Sequence, residues 1–250
     1  MRTLAKPIVF LLFMLMLMPL AVQAQDQART FLAAVEAYDK GDYAAAARGF
    51  LSIAEDGVIN GKLYYNIANA SLKAGDIGQA IRWYEKAHRL IPGDPDLNFN
   101  LDYARTRVKD KAPEEVSLPE MLFFWRNWLN PETVIRLAAI SSLVFCLVAF
   151  IRRQTKMFLP VLFQYGFLML FVFFTLTAAG HFYFDRYLRR GVVLAESVSV
   201  KSGFSDLSTE LFELHAGSRV TIEKTEQGFY RIRFGKDKIG WVPEKEIGII

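Results

Sequence analysis

PETVIRLAAISSLVFCLVAFI at 131–151, the basic link RRQTK at 152–156 and MFLPVLFQYGFLMLFVFFTLTAAG at 157–180 divide this chain of 250 residues. At 1.5 Å per helical residue the two apolar runs reach roughly 31 and 36 Å, against a hydrocarbon core about 30 Å thick. The second run carries no formal charge. The first has Arg136 one turn inside its start, where a long side chain can snorkel to the headgroups. A re-entrant or buried helix is the alternative for that run. Asn130 as N-cap with Pro131 at the first helical position favours a span. A five-residue link returns the chain as a hairpin, so the segments before and after it face one compartment.

The N-terminus indicates which compartment. Residues 1–24 have Arg2 and Lys6, an apolar run over 8–20 and the small-residue ending Val22-Gln23-Ala24, the pattern of a secretory signal peptide. Whether cleaved or kept as an anchor, it places the next segment outside the cytoplasm, and the basic link 152–156 then lies inside. The expected site is the inner membrane, with both soluble parts periplasmic. A net charge of +4, with bases gathered at the membrane edges, points to lipid headgroups and not to nucleic acid. The only cysteine, Cys146, lies within the first apolar run, so no intrachain disulfide framework exists.

Residues 26–110 repeat themselves. A shift of 34 residues carries Gly41-Asp42 onto Gly75-Asp76, Ala46 onto Ala80, Phe50 onto Tyr84 and Ile53 onto Ala87. Leu63, Tyr64, Ile67, Ala68 and Ser71 recur at helical intervals, Gly75-Asp76 punctuates, and Ala80, Ile81, Tyr84, Ala87 and Ile91 mark the next helix. Pro92-Gly93-Asp94-Pro95 then opens a third helix over 96–109, suited to a terminal cap. The stretch 63–94 resembles a tetratricopeptide repeat, including Ala80, Tyr84, Ala87 and Pro92. The first repeat departs at Thr30 and Val58. The resemblance implies two repeats plus a capping helix, whose inner face would hold a protein partner through Lys62, Tyr65, Asn66, Asn69 and Lys73, with Asp96, Phe99 and Tyr103 on the cap. For the asparagines, bracing of neighbouring helices is the alternative role.

A charged, proline-interrupted linker at 109–116 leads to Ser117 and Glu120, a capping box ahead of Leu118, Met121, Leu122, Trp125 and Leu129 on one face. An interfacial amphipathic helix over 117–130 is expected, with packing against the repeat domain as the rival. Beyond the second span, aromatics and bases at 181–190 suit a membrane boundary. Short alternating runs at 192–200, 219–224, 229–234 and 240–242 then predict a small β-barrel. The residues Val198 to Gly203, Leu211 to Leu214, Gly217, Gly228-Phe229 and Gly240-Trp241-Val242-Pro243 resemble a bacterial SH3 domain over 191–250, with Ser199 and Phe204 where Asn and Pro are common. That resemblance makes Phe204, Phe229 and Trp241 a candidate ligand groove; Trp241 sealing the barrel end is the alternative.

His88, His181 and His215 fall in three separate segments with no metal-ligand spacing, and no phosphate-binding glycine loop or nucleophile elbow is present. No catalytic site, metal or cofactor is expected. The fold class is a multidomain membrane protein: an all-α tetratricopeptide array, a transmembrane helical hairpin (131–151 and 157–180) and a small all-β SH3-like barrel. In that order, after a signal peptide, these parts resemble the BatE family of the bacterial aerotolerance (Bat) system. The resemblance implies a scaffold subunit of an envelope assembly that contains von Willebrand A-type membrane proteins and is served by a MoxR-type ATPase. A cell-wall sensor or anchor, with the SH3 domain on peptidoglycan, is the alternative.

Overall fold

The computed structural model of the chain describes residues 25–111, 121–155, 159–187, 189–205 and 207–250. The signal-peptide expectation at 1–24, positions 112–116 of the linker and the Ser117 and Glu120 capping box lie outside them.

Five helices form the N-terminal array: α1 (25–39), α2 (Tyr43–Glu55), α3 (Gly61–Lys73), α4 (Ile77–Leu90) and α5 (Pro95–Thr106). The repeated Gly-Asp pair performs the same task twice. Gly41 and Gly75 take left-handed φ values of 83° and 88° that end α1 and α3. Asp42 and Asp76 then accept from Ala45 N and Gln79 N to cap α2 and α4. Asn60 and Asp94 cap α3 and α5 in the same manner, the latter with Pro95 in the first turn. Phe50, Ile67, Ile81, Tyr84 and Leu97 fill the array's core, and fully buried Ala46, Ala68, Ala80 and Ala87 let the helix axes close up. The cap ends at Thr106, three residues short of the expected boundary.

Two long helices follow, α6 (Pro131–Thr155) and α7 (Leu159–Tyr187), packed side by side. Asn130 Oδ1 accepts from Glu132 N at 2.8 Å, so the anticipated cap of α6 is in place. Over Pro131–Gln154 and Val161–Tyr183 both are long and apolar enough to cross a membrane, and they turn Leu143, Leu162 and Met169 outward at 71, 77 and 73% exposure. Such faces point to membrane association. The helices outrun the expected 131–151 and 157–180 because their polar ends, Arg152 to Gln154 and His181 to Tyr187, continue the same backbone.

Over its described residues, 121–130, the segment before α6 departs from the helix expected at 117–130. Within 121–130 the helical backbone ends at Leu122 and a 3-10 helix follows at Phe124–Trp128. Asn130 must leave helical geometry to precede Pro131, which stops any helix from running through. Trp125 instead turns onto α7, stacking on Phe173 at 5.4 Å and donating from Nε1 to Thr177 Oγ1 at 3.1 Å.

The C-terminal part is a seven-stranded antiparallel sheet in the order β3-β2-β6-β5-β4-β1-β7. Its strands are β1 (Arg190–Val193), β2 (Ser197–Lys201), β3 (Glu210–His215), β4 (Arg219–Glu226), β5 (Phe229–Phe234), β6 (Lys238–Pro243) and β7 (Ile247–Ile249). The run 192–200, expected as one strand, divides at Leu194 to Glu196 because its halves serve opposite ends of the ladder: β1 pairs with β4 and β7, β2 with β3 and β6. Gln227 and Gly228, at φ 50° and 80°, make the two-residue turn joining β4 to β5. Val193, Val200, Leu214, Ile232 and Val242 fill the core.

The array and the sheet touch. Helix α4 lies across β1 and β7, and Val192 and Ile250 join the array's own hydrophobic cluster.

Candidate partner-binding surfaces

The sequence groups Lys62, Tyr65, Asn66, Asn69 and Lys73 on α3 with Asp96, Phe99 and Tyr103 on α5. The structure gives them unlike roles. Asn69 Oδ1 accepts from Tyr84 OH at 2.6 Å and from Asn100 Nδ2 at 3.1 Å, while Asn100 Nδ2 also reaches Tyr65 OH at 2.9 Å. Asn69 and Tyr65 therefore knit α3 to α4 and α5. Burial pushes the Tyr84 phenol well above its ordinary value, so it serves as a neutral donor. Lys62 pairs with Asp94, the N-cap of α5; its ammonium is held above the usual range by that hydrogen bond, and the Asp94 carboxyl is held below its own.

What stays open lies at the two ends of the group. Lys73 and Asp96 are exposed and Asn66 is half-buried. Phe99 is 73% and Tyr103 44% exposed, one helical turn apart, with the Arg107 guanidinium 4.9 Å over the Tyr103 ring. The capping helix thus leaves two aromatic rings exposed. The bracing role has its own test. Asn69→Ala strands the buried Tyr84 hydroxyl and should cost about 1–3 kcal/mol, read as a lower thermal midpoint, whereas Lys73→Ala should change stability by less than about 0.5 kcal/mol. Equal midpoints for the two variants would remove the brace.

On the sheet, Phe204 and Trp241 meet edge to face at 5.4 Å. Trp241 is half-buried, opposite Arg231 and Lys201, while its strand neighbours Gly240 and Val242 point into the core. Phe229 is opposite Pro243, two residues from Trp241 and so on the same face. Along the same face of β5, Arg231 and Arg233 pair with Glu223 at 3.5 and 2.7 Å. The three aromatics share a face, but only two are in contact.

The best-organised polar cluster was not among the sequence candidates. Glu85 on α4, only 13% exposed, accepts from Arg105 on α5 at 2.8 Å and from Arg219 on β4 at 2.9 Å. Nearby, Asp110 accepts from His215 N at 2.6 Å and from Ser218 Oγ at 2.7 Å, with the His215 ring 3.2 Å away. Burial works against both carboxylates. For Glu85 the Arg219 and Arg105 charges outweigh it, for Asp110 the Ser218 and His215 hydrogen bonds do, and each stays below the ordinary carboxylate range. Around them three glycines admit close contact. A Cβ on Gly78 would stand 2.7 Å from Val193 O, one on Gly217 2.8 Å from Ile81, and one on Gly248 2.5 Å from Arg82. Only the isolated acids and bases could have been read from sequence, since Arg219 lies 134 residues from Glu85, and His215 and Ser218 lie 105 and 108 residues from Asp110.

Among the described residues no group of three or more His, Cys, Asp or Glu side chains is placed to hold a metal ion. The arrangement holds surfaces together and presents aromatics. A search of curated proteins finds no match to the chain. A family model for the tetratricopeptide repeat matches residues 61–94, the two helices α3 and α4 that carry both the braced inner face and the contact with the sheet.

Proposed function

We propose that the protein is a non-enzymatic, membrane-anchored scaffold whose helical array and SH3-like module stand together on the extracytoplasmic side and assemble an envelope protein complex of the Bat type. The observation that carries this reading is the packing of α4 on β1 and β7. Segments on either side of a two-helix hairpin meet in this way when both leave the membrane on one face. The tetratricopeptide match supports protein partners in general. Exposed Phe99 and Tyr103 are the array's docking surface, and a second partner held at the sheet face would meet the first at raised effective concentration. Among such partners, von Willebrand A-type membrane proteins follow from the architecture.

Protease added to spheroplasts tests the geometry: both ends of the chain should be cut, or both protected by their mutual contact. Digestion of one end alone rejects it. Crosslinking in native membranes tests the scaffold, because Phe99→Ala with Tyr103→Ala should remove partners that the unaltered chain captures.

The Phe204–Trp241 pair favours a second reading, a sensor or anchor that grips peptidoglycan. Full-length protein in detergent would then sediment with insoluble peptidoglycan and Trp241→Ala would not, whereas the scaffold reading expects neither to sediment.

A further inference from the structure

Helix α4 presents Arg82, Lys86 and Arg89 at spacings of four and three, which places them on one face. Arg82 and Lys86 both lie against the indole of buried Trp83, at 5.3 and 4.7 Å from its centroid, and Trp83 is fixed from behind by Tyr64 at 4.9 Å. The same end of the helix is tied to the hairpin, since Asn130 Nδ2, on the N-cap of α6, donates to Leu90 O. Lys86 is one turn back from Leu90, roughly 6 Å along the axis, and the headgroup layer is about 5–8 Å deep on each side of the hydrocarbon. We propose that Arg82, Lys86 and Arg89 bind the phosphate of an anionic phospholipid headgroup at the membrane-facing end of α4.

The cations are arranged for an incoming anion. Arg82 already spends donors on Ile249 O and Gln79 Oε1, at 3.4 Å each, which fixes its plane. Lys86 forms no ion pair with a carboxylate among the described residues. Burial, followed by repulsion from Arg82 and Arg89, pushes its ammonium down to about 8, a cost that a bound phosphate would relieve. A planar guanidinium and a flexible ammonium on one indole supply several donors to phosphate oxygens, and the membrane surface supplies the anion at high local concentration.

The inference rests on the two-span reading, and its test separates the two. Full-length protein is reconstituted in nanodiscs of phosphatidylglycerol mixed with phosphatidylcholine, released into detergent and weighed with its retained lipid by native mass spectrometry. Phosphatidylglycerol should be retained in preference. Lys86→Gln with Arg89→Gln should lower that retention roughly thirtyfold. Lys86→Arg should keep it, as should Arg29→Gln with Arg48→Gln, which removes the same charge from exposed positions on α1 and α2. Equal loss in the two double variants overturns the site in favour of general charge attraction. Displacement of the lipid by excess inorganic phosphate overturns the membrane as its source. Failure to enter nanodiscs overturns the spans as well, whereas entry without lipid preference overturns only the site.

Discussion

A Gly78→Val chain is expected to melt lower than the unaltered protein, with its C-terminal sheet opened to proteases. Glycine inside a helix is normally a defect, about 1 kcal/mol worse than alanine. Gly78 occupies the second position of α4 with ordinary helical backbone, so nothing local requires it. The requirement comes from the other end of the chain: a Cβ there would lie 2.7 Å from Val193 O and 2.9 Å from Leu194 Cα. Backbone atoms of a paired strand cannot swing aside as a side-chain tip can. Valine therefore separates α4 from β1 and with it the neighbouring contacts of Gly217 and Gly248. Overpacking of this kind costs up to about 3 kcal/mol, and the gain in helix propensity returns only a fraction of it. Thermal unfolding of full-length protein in nanodiscs, with limited proteolysis alongside, measures both parts. An unchanged midpoint and cleavage pattern would mean that the array and the sheet do not rest on each other in the membrane.

The same contact marks where sequence reading stops. The repeat was legible because its signals are local: Gly41-Asp42 and Gly75-Asp76 end one helix and cap the next within two residues, and the alanines that allow close packing recur with them. The apolar helices were legible from length and composition alone. The inner-face residues were found without their roles, because a tetratricopeptide pattern gives Asn69 its position but not the Tyr84 and Asn100 partners that engage its oxygen. Strand β7 has only three residues, and β3, at the other end of the ladder, carries exposed residues such as Leu211 that blur its alternation. The stretch 121–130 read as an amphipathic helix because its apolar spacing is helical. Trp125 found a better surface on Phe173 and Thr177, which no spacing within that stretch encodes.

Removal of the Glu85 carboxylate should weaken the assembly nearly as much as forcing α4 from β1. Glu85→Gln keeps the shape and removes the charge that Arg105 and Arg219 share. Breaking a fully buried ion cluster costs about 3–5 kcal/mol. With Arg105 and Arg219 side chains 36 and 25% exposed, water screens part of that, and about 2 kcal/mol at neutral pH is the expected loss. The pH dependence follows from the sign of the shift. Burial raises the Glu85 pKa, Arg219 and Arg105 lower it by more, and the folded value lies below the ordinary 4.5. The stabilisation is thus complete above about pH 4.5 and disappears as pH falls through the depressed value, because the unfolded chain takes up the proton first. Asp110, depressed by Ser218 and His215, adds loss in the same direction from its ordinary 3.8 downward. Unaltered protein in nanodiscs should therefore lose thermal stability steeply below pH 4.5, and Glu85→Gln should begin lower and fall less, with the curves converging at acid pH. Parallel curves, offset equally at every pH, would show that the glutamate acts through shape and that its charge does not hold α4, α5 and β4 together.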